Sequence, residues 1–313
     1  MKEEGSKVSV EIGGASLELD LNFKDLYTSP PLGFSGYATN FDEARYVIFG
    51  IPFDGTSSYR PGSRFAPMAI REASLNIETY SFRTGLDIED LRICDLGDLH
   101  IADLDETLRR AFSVAKEISA LGKIPLAIGG EHTISFATSR ALGKPLKIVS
   151  FDAHMDLRDD YLGVRLCHAT YNRRLCEELG NEALVEVGTR AVCKEELDYA
   201  KKNSIRFITS RHIMEKPKEA LKDLEKSLEG AGLIYVTLDM DVLDPAYAPG
   251  VGNPEPEGLS TSILFELLKI VCDERCLGFD LVEVTPLYDR GETAIQAAKI
   301  IFEVLCYLES HRK

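Results

Sequence analysis

Basic residues are scarce in this chain relative to acidic ones. It has 36 lysines and arginines against 51 aspartates and glutamates, a formal net charge of -15. A phosphate backbone would be repelled unless the cations gathered on one face, and no stretch gathers them, so no nucleic-acid partner is expected. The negative field instead draws in small cations, whether metal ions or a cationic substrate. Cysteine is also sparse. Cys94, Cys167, Cys176, Cys193, Cys272, Cys276 and Cys306 are scattered and form no CxxC pair, which argues against a zinc knuckle or a thiol redox motif. No apolar run approaches the length that spans a bilayer, and the opening Met1-Lys2-Glu3-Glu4 lacks the apolar core of a secretory signal. The expectation is a cytoplasmic protein with reduced thiols and no membrane partner. Linkers and internal repeats are absent too, so residues 1–313 are read as one domain, with 1–44 as a less regular N-terminal extension.

What is present is 44% hydrophobic and 28% charged sequence, the proportions of a soluble globular protein. From Ala44 onward, apolar runs alternate with amphipathic stretches. Strands are expected at Arg45–Gly50, Leu91–Leu96, Ile124–Ile128, Lys147–Phe151, Leu184–Val187, Ile205–Ile208, Leu233–Leu238 and Leu277–Val284. Helices are expected between them, the clearest being Asp103–Leu121 and the closing Glu292–Leu308. Apolar strands separated by helices imply an α/β fold with a parallel sheet covered on both faces. In the extension, Ser29–Gly36 reads as loop, and Phe23, Tyr27, Phe34, Tyr37 and Phe41 are expected to pack.

Behind the run Lys147–Phe151, three potential metal ligands stand at every second position: Asp152, His154 and Asp156. If the strand continued, it would aim all three to one side. Carboxylates so close would take up a proton unless a strong positive charge neutralised them, and a divalent metal supplies that charge. Other polar clusters also follow expected strands: His132 after Ile124–Ile128, Asp239 and Asp241 after Leu233–Leu238, and Glu283 near the end of Leu277–Val284. In parallel sheets such strand ends are where sites gather. Two His and four Asp are too many for one tetrahedral zinc and suit two ions about 3.5–4 Å apart with bridging carboxylates. Ligation without sulfur favours Mn²⁺, with Zn²⁺, Co²⁺ and Fe²⁺ as alternatives. The implied reaction is metal-assisted hydrolysis.

Gly129-Gly130-Glu131-His132, Phe151-Asp152-Ala153-His154-Met155-Asp156 and Leu238-Asp239-Met240-Asp241-Val242-Leu243-Asp244-Pro245, with Ala248-Pro249-Gly250-Val251-Gly252 beyond, resemble the ordered metal motifs of the ureohydrolase family. That family contains the arginases, agmatinases and related amidinohydrolases, and the resemblance runs from about Gly50 to the C-terminus. It implies a three-layer α/β/α sandwich around a mainly parallel sheet, and two Mn²⁺ per chain sharing a hydroxide. His132, Asp152, Asp156 and Asp239 would hold one ion, and Asp152, His154, Asp239 and Asp241 the other. Glu283 would bind a guanidinium group, and His168 would be the catalytic proton shuttle, since an imidazole ordinarily titrates near the working pH. Trimers or hexamers are common in the family. Two positions depart from its pattern: Glu131 stands where Asp is usual, and Ala169 where Gly usually follows the catalytic His.

The substrate expectation comes from the segments around the motifs. Arginases carry an Asn two positions beyond the last Asp of the second block, where this chain has Arg158. Gly50–Asp54, Arg60–Pro67 and Gly252–Leu259 look more like agmatinases. The resemblance therefore implies a small cationic guanidino substrate, agmatine, cleaved to putrescine and urea. The alternatives are an arginase, a guanidino-acid amidinohydrolase whose carboxylate Arg158 would meet, a one-metal deacetylase of related fold, or a homologue that only binds. Asp159 and Asp160 are read either as exposed loop acids or as partners of a distal cation. Arg60 and Arg64 are assigned to structure or subunit contacts.

Overall fold

Short apolar runs such as Tyr46–Gly50 and Ile124–Ile128 are buried at every position, as strands sandwiched between two helical layers must be. The computed structural model describes residues 7–12, 15–20, 23–29, 32–37, 39–144 and 146–312. Nine strands form the main sheet: β1 (Thr28–Ser29), β2 (Tyr46–Gly50), β3 (Ile93–Leu99), β4 (Ile124–Ile128), β5 (Lys147–Phe151), β6 (Leu184–Thr189), β7 (Arg206–Thr209), β8 (Ile234–Asp239) and β9 (Cys276–Val282). Their spatial order is β7-β6-β5-β8-β9-β4-β2-β3-β1. All neighbours run parallel except the two-residue edge strand β1, which is antiparallel to β3.

Successive side chains of each strand feed opposite cores, which makes the three layers. In β2, Tyr46 and Ile48 join a core shared with helices Ala66–Ser74, Thr261–Val271 and Glu292–Ser310, whereas Val47 and Phe49 meet Leu104–Ala120 and Ser135–Arg140. Towards β7, Ile148, Leu184 and Tyr235 pack on Tyr171–Leu179 and Lys194–Lys202. Each fully buried Ile, Leu or Phe contributes about 1.5–3 kcal/mol before conformational entropy is charged against it.

The expected series of elements is present from β2 onward, with ends shifted by a few residues; the largest shift moves Leu91–Leu96 to β3, Ile93–Leu99. The helix expected at Asp103–Leu121 spans Leu104–Ala120, because Asp103 is its N-cap and accepts from the Glu106 N–H at 2.9 Å. A helix at Ser210–Glu215 was not expected; it starts where Thr209 caps the His212 N–H.

The extension is more regular than its composition suggested. Lys7–Ile12 and Ala15–Asp20 form an antiparallel hairpin, and Phe23–Tyr27 is a short helix before β1. Of the expected Ser29–Gly36 loop, Ser29 closes β1, while Pro30 and Pro31 lie outside the described residues. Phe34 packs edge-on against Phe302, and Phe23, Tyr27 and Phe41 line the second core, but Tyr37 is exposed.

One property of the topology positions everything that follows. β4 and β5 are consecutive along the chain, yet the two slots between them are filled by β8 and β9. The loops leaving the carboxyl ends of these four adjacent strands therefore converge.

Candidate metal centre

The loop after β4 brings in His132, the loop after β5 brings Asp152, His154 and Asp156, the end of β8 brings Asp239 and Asp241, and the end of β9 brings Glu283. Motifs separated by more than a hundred residues thus meet at one edge of the sheet. The turn after β4 passes so close to β2 that a Cβ on Gly130 would lie 2.4 Å from the Ile51 carbonyl oxygen, and Gly130 has φ +95°, so only glycine fits. This turn and Glu283 hold each other: the Glu283 N–H donates to the Gly130 carbonyl at 2.9 Å, and the His132 N–H donates to Glu283 Oε1 at 2.9 Å. Asp156 (φ 53°) and Glu283 (φ 66°) both adopt the left-handed region, a cost of about 1–2 kcal/mol each for non-glycine residues. Such strain at converging polar residues is typical of functional sites.

His132 Nδ1 faces Asp152 Oδ2 at 2.9 Å, Asp239 Oδ2 at 3.3 Å and Asp156 Oδ2 at 3.6 Å. His154 Nδ1 faces Asp241 Oδ2 at 3.0 Å and Asp152 Oδ1 at 3.4 Å. Asp152 therefore presents one oxygen to each imidazole, and two compact groups of potential ligands, His132/Asp152/Asp156 and Asp152/His154/Asp241, share it. Backbone amides fix the carboxylates: Asp152 Oδ1 accepts from the His154 N–H, Asp239 Oδ1 from the Asp241 N–H, and Asp241 Oδ1 from the Ala153 N–H.

The route to this convergence differs from the expected one. β5 stops at Phe151, so Asp152, His154 and Asp156 lie on a loop and do not share one strand face. The loop lets His154 and Asp156 fall on opposite sides of Asp152, which a flat alternation would forbid.

The electrostatics call for added positive charge. Burial pushes Asp156 well above the usual carboxylate range, with Asp152 adding to the shift. Burial does the same to Asp239, reinforced by Asp241 and Asp152. Burial opposes the charged imidazolium at His132, yet Asp152 and Asp239 raise it well above its ordinary value. Among the described residues, His132 Nδ1 and Asp152 Oδ2, 2.9 Å apart, are buried with no hydrogen-bond partner beyond this facing pair. Crowded buried carboxylates and two imidazoles without sulfur fit hard or borderline divalent cations.

Behind this cage lies a layer that sequence reasoning missed. His132 Nε2 is 2.8 Å from both Thr237 Oγ1 and Tyr171 Oη. The Thr237 hydroxyl donates to buried Asp280, so its oxygen accepts from His132 Nε2–H, and a ring made neutral by a bound cation would turn its Nδ1 lone pair into the cage. Thr237 sits two residues before Asp239 on β8, but nothing in an apolar run marks one buried Thr as a partner. Thr237→Val is expected to weaken metal retention by about tenfold, the low end for loss of such a partner, because Tyr171 still holds the ring. Metal titration of the variant checks this.

His168 reaches the cleft beside the cage. The Thr56 hydroxyl donates to Glu131 Oε1 at 2.6 Å, so Thr56 Oγ1 is left to accept from His168 Nδ1 at 3.2 Å, and Nε2, near Ser58 Oγ at 3.2 Å, carries the free lone pair. The departure at Glu131 thereby acquires a role, since its carboxylate also takes the Thr56 N–H and the Thr133 hydroxyl. Ala169 is not among the residues with positive φ, so its side chain costs no backbone strain there. Burial, helped by His154 and His132, lowers His168 to about 4, well below the near-neutral value expected of it.

The cage opens into a cleft of about 480 Å³ lined also by Ser58, Arg158, Arg190, Glu196, Asn253 and Glu255. Arg158 lies 3.8 Å from Glu196 Oε2 and over the Tyr161 ring at 5.3 Å. Asp159 is turned outward and paired with Arg174 at 2.9 Å, and Asp160 Oδ1 accepts from the Gly163 N–H in a turn. Neither lines the cleft, so the loop-acid reading holds for both. Arg64 pairs with Asp54 at 2.6 Å, and Arg60 stacks on Tyr59 and Tyr288.

Comparison with known proteins gives the same picture. The model of the arginase family matches residues 44–307. An agmatinase of Bacillus subtilis is 40% identical over 274 residues, covering 85% of this chain and 92% of the relative. A mitochondrial guanidino acid hydrolase of Homo sapiens is 37% identical over 273 residues, covering 84% of this chain and 78% of the relative. The crystal structure of the agmatine ureohydrolase of Thermoplasma volcanium superposes with a TM-score of 0.85 at 37% identity, covering 91% of this chain and 96% of the other.

Proposed function

The chain belongs to the arginase family, and from that premise we propose that it is an agmatinase, a two-manganese amidinohydrolase that converts agmatine to putrescine and urea. The observation that carries the reading is the convergence of His132, Asp152, His154, Asp156, Asp239 and Asp241 on two sides of one shared carboxylate, with Glu283 beside them. His132, Asp152, Asp156 and Asp239 would hold one ion, and Asp152, His154, Asp239 and Asp241 the other. Bound there, the ions would supply a nucleophile at neutral pH by lowering the pKa of water.

The chain's own residues do the rest. Glu283 accepts guanidinium N–H bonds and orients the central carbon towards the cage. His168, neutral at working pH, takes the nucleophile's proton on Nε2 and passes it to the departing amine nitrogen. A low pKa favours the second transfer, because the amine is by far the stronger base. Thr56 and Glu131 keep Nδ1 protonated and the ring in place.

Agmatine is preferred among guanidino compounds because Arg158 stands where arginases have Asn and because the cleft is acidic. The second reading, a guanidino-acid hydrolase, rests on Arg158, which lines the cleft and would meet a carboxylate. Urea release from agmatine, arginine and guanidinobutyrate after manganese loading decides between them. Agmatine is expected to give the highest kcat/KM, and a higher value for arginine or guanidinobutyrate would overturn the substrate assignment. Metal analysis is expected to find about two ions per chain; a single tightly held zinc would favour the deacetylase chemistry. Among the described residues no helix is long and apolar enough to cross a membrane, and a cytoplasmic trimer or hexamer completes the proposal.

A further inference from the structure

We propose that Glu255 is the residue that selects the substrate's far end, by accepting the distal ammonium of a guanidine that carries a cationic tail. The inference rests on the amidinohydrolase reading and adds to it the chemical group that the outer cleft recognises.

The segment after β8 passes from Glu283 along the cleft wall. A Cβ on Gly252 would lie 2.9 Å from Glu283 Oε2, so the segment starts against the proposed guanidinium partner. Asn253-Pro254-Glu255-Pro256 follows. Each proline fixes its own φ and biases the preceding residue towards extended backbone, between bends at residues 252–253 and 256–257. Asn253 and Glu255 line the cleft and the two prolines do not.

The position of Glu255 is fixed from behind. Its carbonyl accepts from Arg190 Nη2 at 2.9 Å, and the same nitrogen donates to the Asp241 carbonyl at 2.6 Å. Arg190 also donates to the Pro256 and Val242 carbonyls, so its N–H groups are occupied by main chain and the guanidinium pins the segment to the cage.

The charges of the cleft then sort themselves. Asp156, Asp239 and Asp241 belong to the cage, and Glu283 to the guanidinium end. Glu196 is buried and accepts the Leu157 and Cys193 N–H groups, with Arg158 beside it. Among the described residues the Glu255 carboxylate makes no hydrogen bond or ion pair, although it lines the cleft. It is the cleft carboxylate still available to a cation, whereas the one cation that could read an anionic tail, Arg158, already has a counter-charge.

The test compares agmatine with butylguanidine, which has the same chain without the ammonium, in the manganese-loaded wild type and Glu255→Gln. The variant is expected to lose about tenfold to a hundredfold in kcat/KM for agmatine, the worth of one charge-assisted hydrogen bond, and to lose far less for butylguanidine. Glu255→Lys is expected to raise the ratio of guanidinobutyrate to agmatine turnover above that of the wild type. Equal losses for both neutral and cationic tails would make Glu255 structural and overturn the proposal, and so would a wild type that hydrolyses agmatine and butylguanidine equally well. A wild type that releases urea from neither would instead overturn the amidinohydrolase reading, and the proposal with it.

Discussion

Asp152→Asn is expected to leave the protein folded, unable to retain its metal ions through dialysis, and about a thousandfold or more slower in urea release. Asp152 is the one carboxylate with an oxygen towards each imidazole, 2.9 Å from His132 Nδ1 and 3.4 Å from His154 Nδ1. Although burial opposes its ionisation, the two imidazoles hold its carboxyl below the ordinary carboxylate range, whereas burial pushes Asp156 and Asp239 up. An amide preserves its volume, and its oxygen can still accept the His154 N–H, so the loop after β5 has no reason to unfold. What is lost is a negative charge shared by both halves of the cage, and a nitrogen that cannot ligate takes the place of one oxygen. A metal contributes several kcal/mol of charge stabilisation, and each roughly 1.4 kcal/mol is tenfold in rate. Metal content measured beside turnover checks the cause. Asp159→Asn is the control: it alters an exposed residue of the same type seven positions on, whose partners are Arg173 and Arg174 outside the cage, and it is expected to keep both metal and rate. Retained metal and activity in Asp152→Asn would remove it from the centre.

The contrast between Asp152 and Asp159 also shows which parts of this molecule are legible in its sequence. The layers were legible because burial on both faces leaves unbroken apolar runs, and the chemistry was legible because ligands cluster at the ends of those runs. That four clusters meet also depends on β8 and β9 entering between β4 and β5, an order that periodicity does not encode. The resemblance to a known family supplied the grouping of the ligands but not that order. The extension was less legible: six-residue strands of alternating character, such as Lys7–Ile12, give a weak signal beside the buried runs that follow.

Residues that act through others were illegible for a different reason. Thr237, Tyr171 and Asp280 lie in apolar or helical stretches, where one hydroxyl or carboxylate looks like tolerated polarity. Their role appears only when Thr237 is seen to spend its proton on Asp280 and so to dictate the tautomer of His132. The protonation of His168 was likewise out of reach. An imidazole's ordinary pKa describes it in water, whereas this one is buried near two others. In the proposed mechanism His168 would therefore begin the cycle neutral and acquire its proton during the reaction.

Glu283→Gln is expected to lower kcat/KM for agmatine by about a hundredfold to a thousandfold, the scale on which removal of one preorganised electrostatic partner is felt, while metal content stays at the wild-type level. The two halves of that expectation come from different atoms. Glu283 Oε1 accepts the His132 N–H at 2.9 Å, and the glutamine carbonyl can do the same, so the turn that carries His132 stays where it is. The Glu283 N–H still donates to the Gly130 carbonyl, because a side-chain change leaves that bond alone. Oε2, within 2.9 Å of where a Cβ on Gly252 would lie, faces the glycine segment of the cleft, and there the variant puts an amide nitrogen. Burial and the neighbouring Glu131 push the Glu283 carboxyl up to about 8, so its ionised form depends on an opposing charge close by. In the proposed reading a bound guanidinium supplies such a charge, and the pair would be formed by the substrate itself. In the variant a neutral amide meets a buried cation with a donor where an acceptor is needed, which costs more than the absence of an attraction. Because the same fork orients the carbon towards the cage, both kcat and KM are expected to suffer. Unchanged turnover with normal metal content would place the guanidinium elsewhere in the cleft, whereas lost metal would make Glu283 a support of His132 and nothing more.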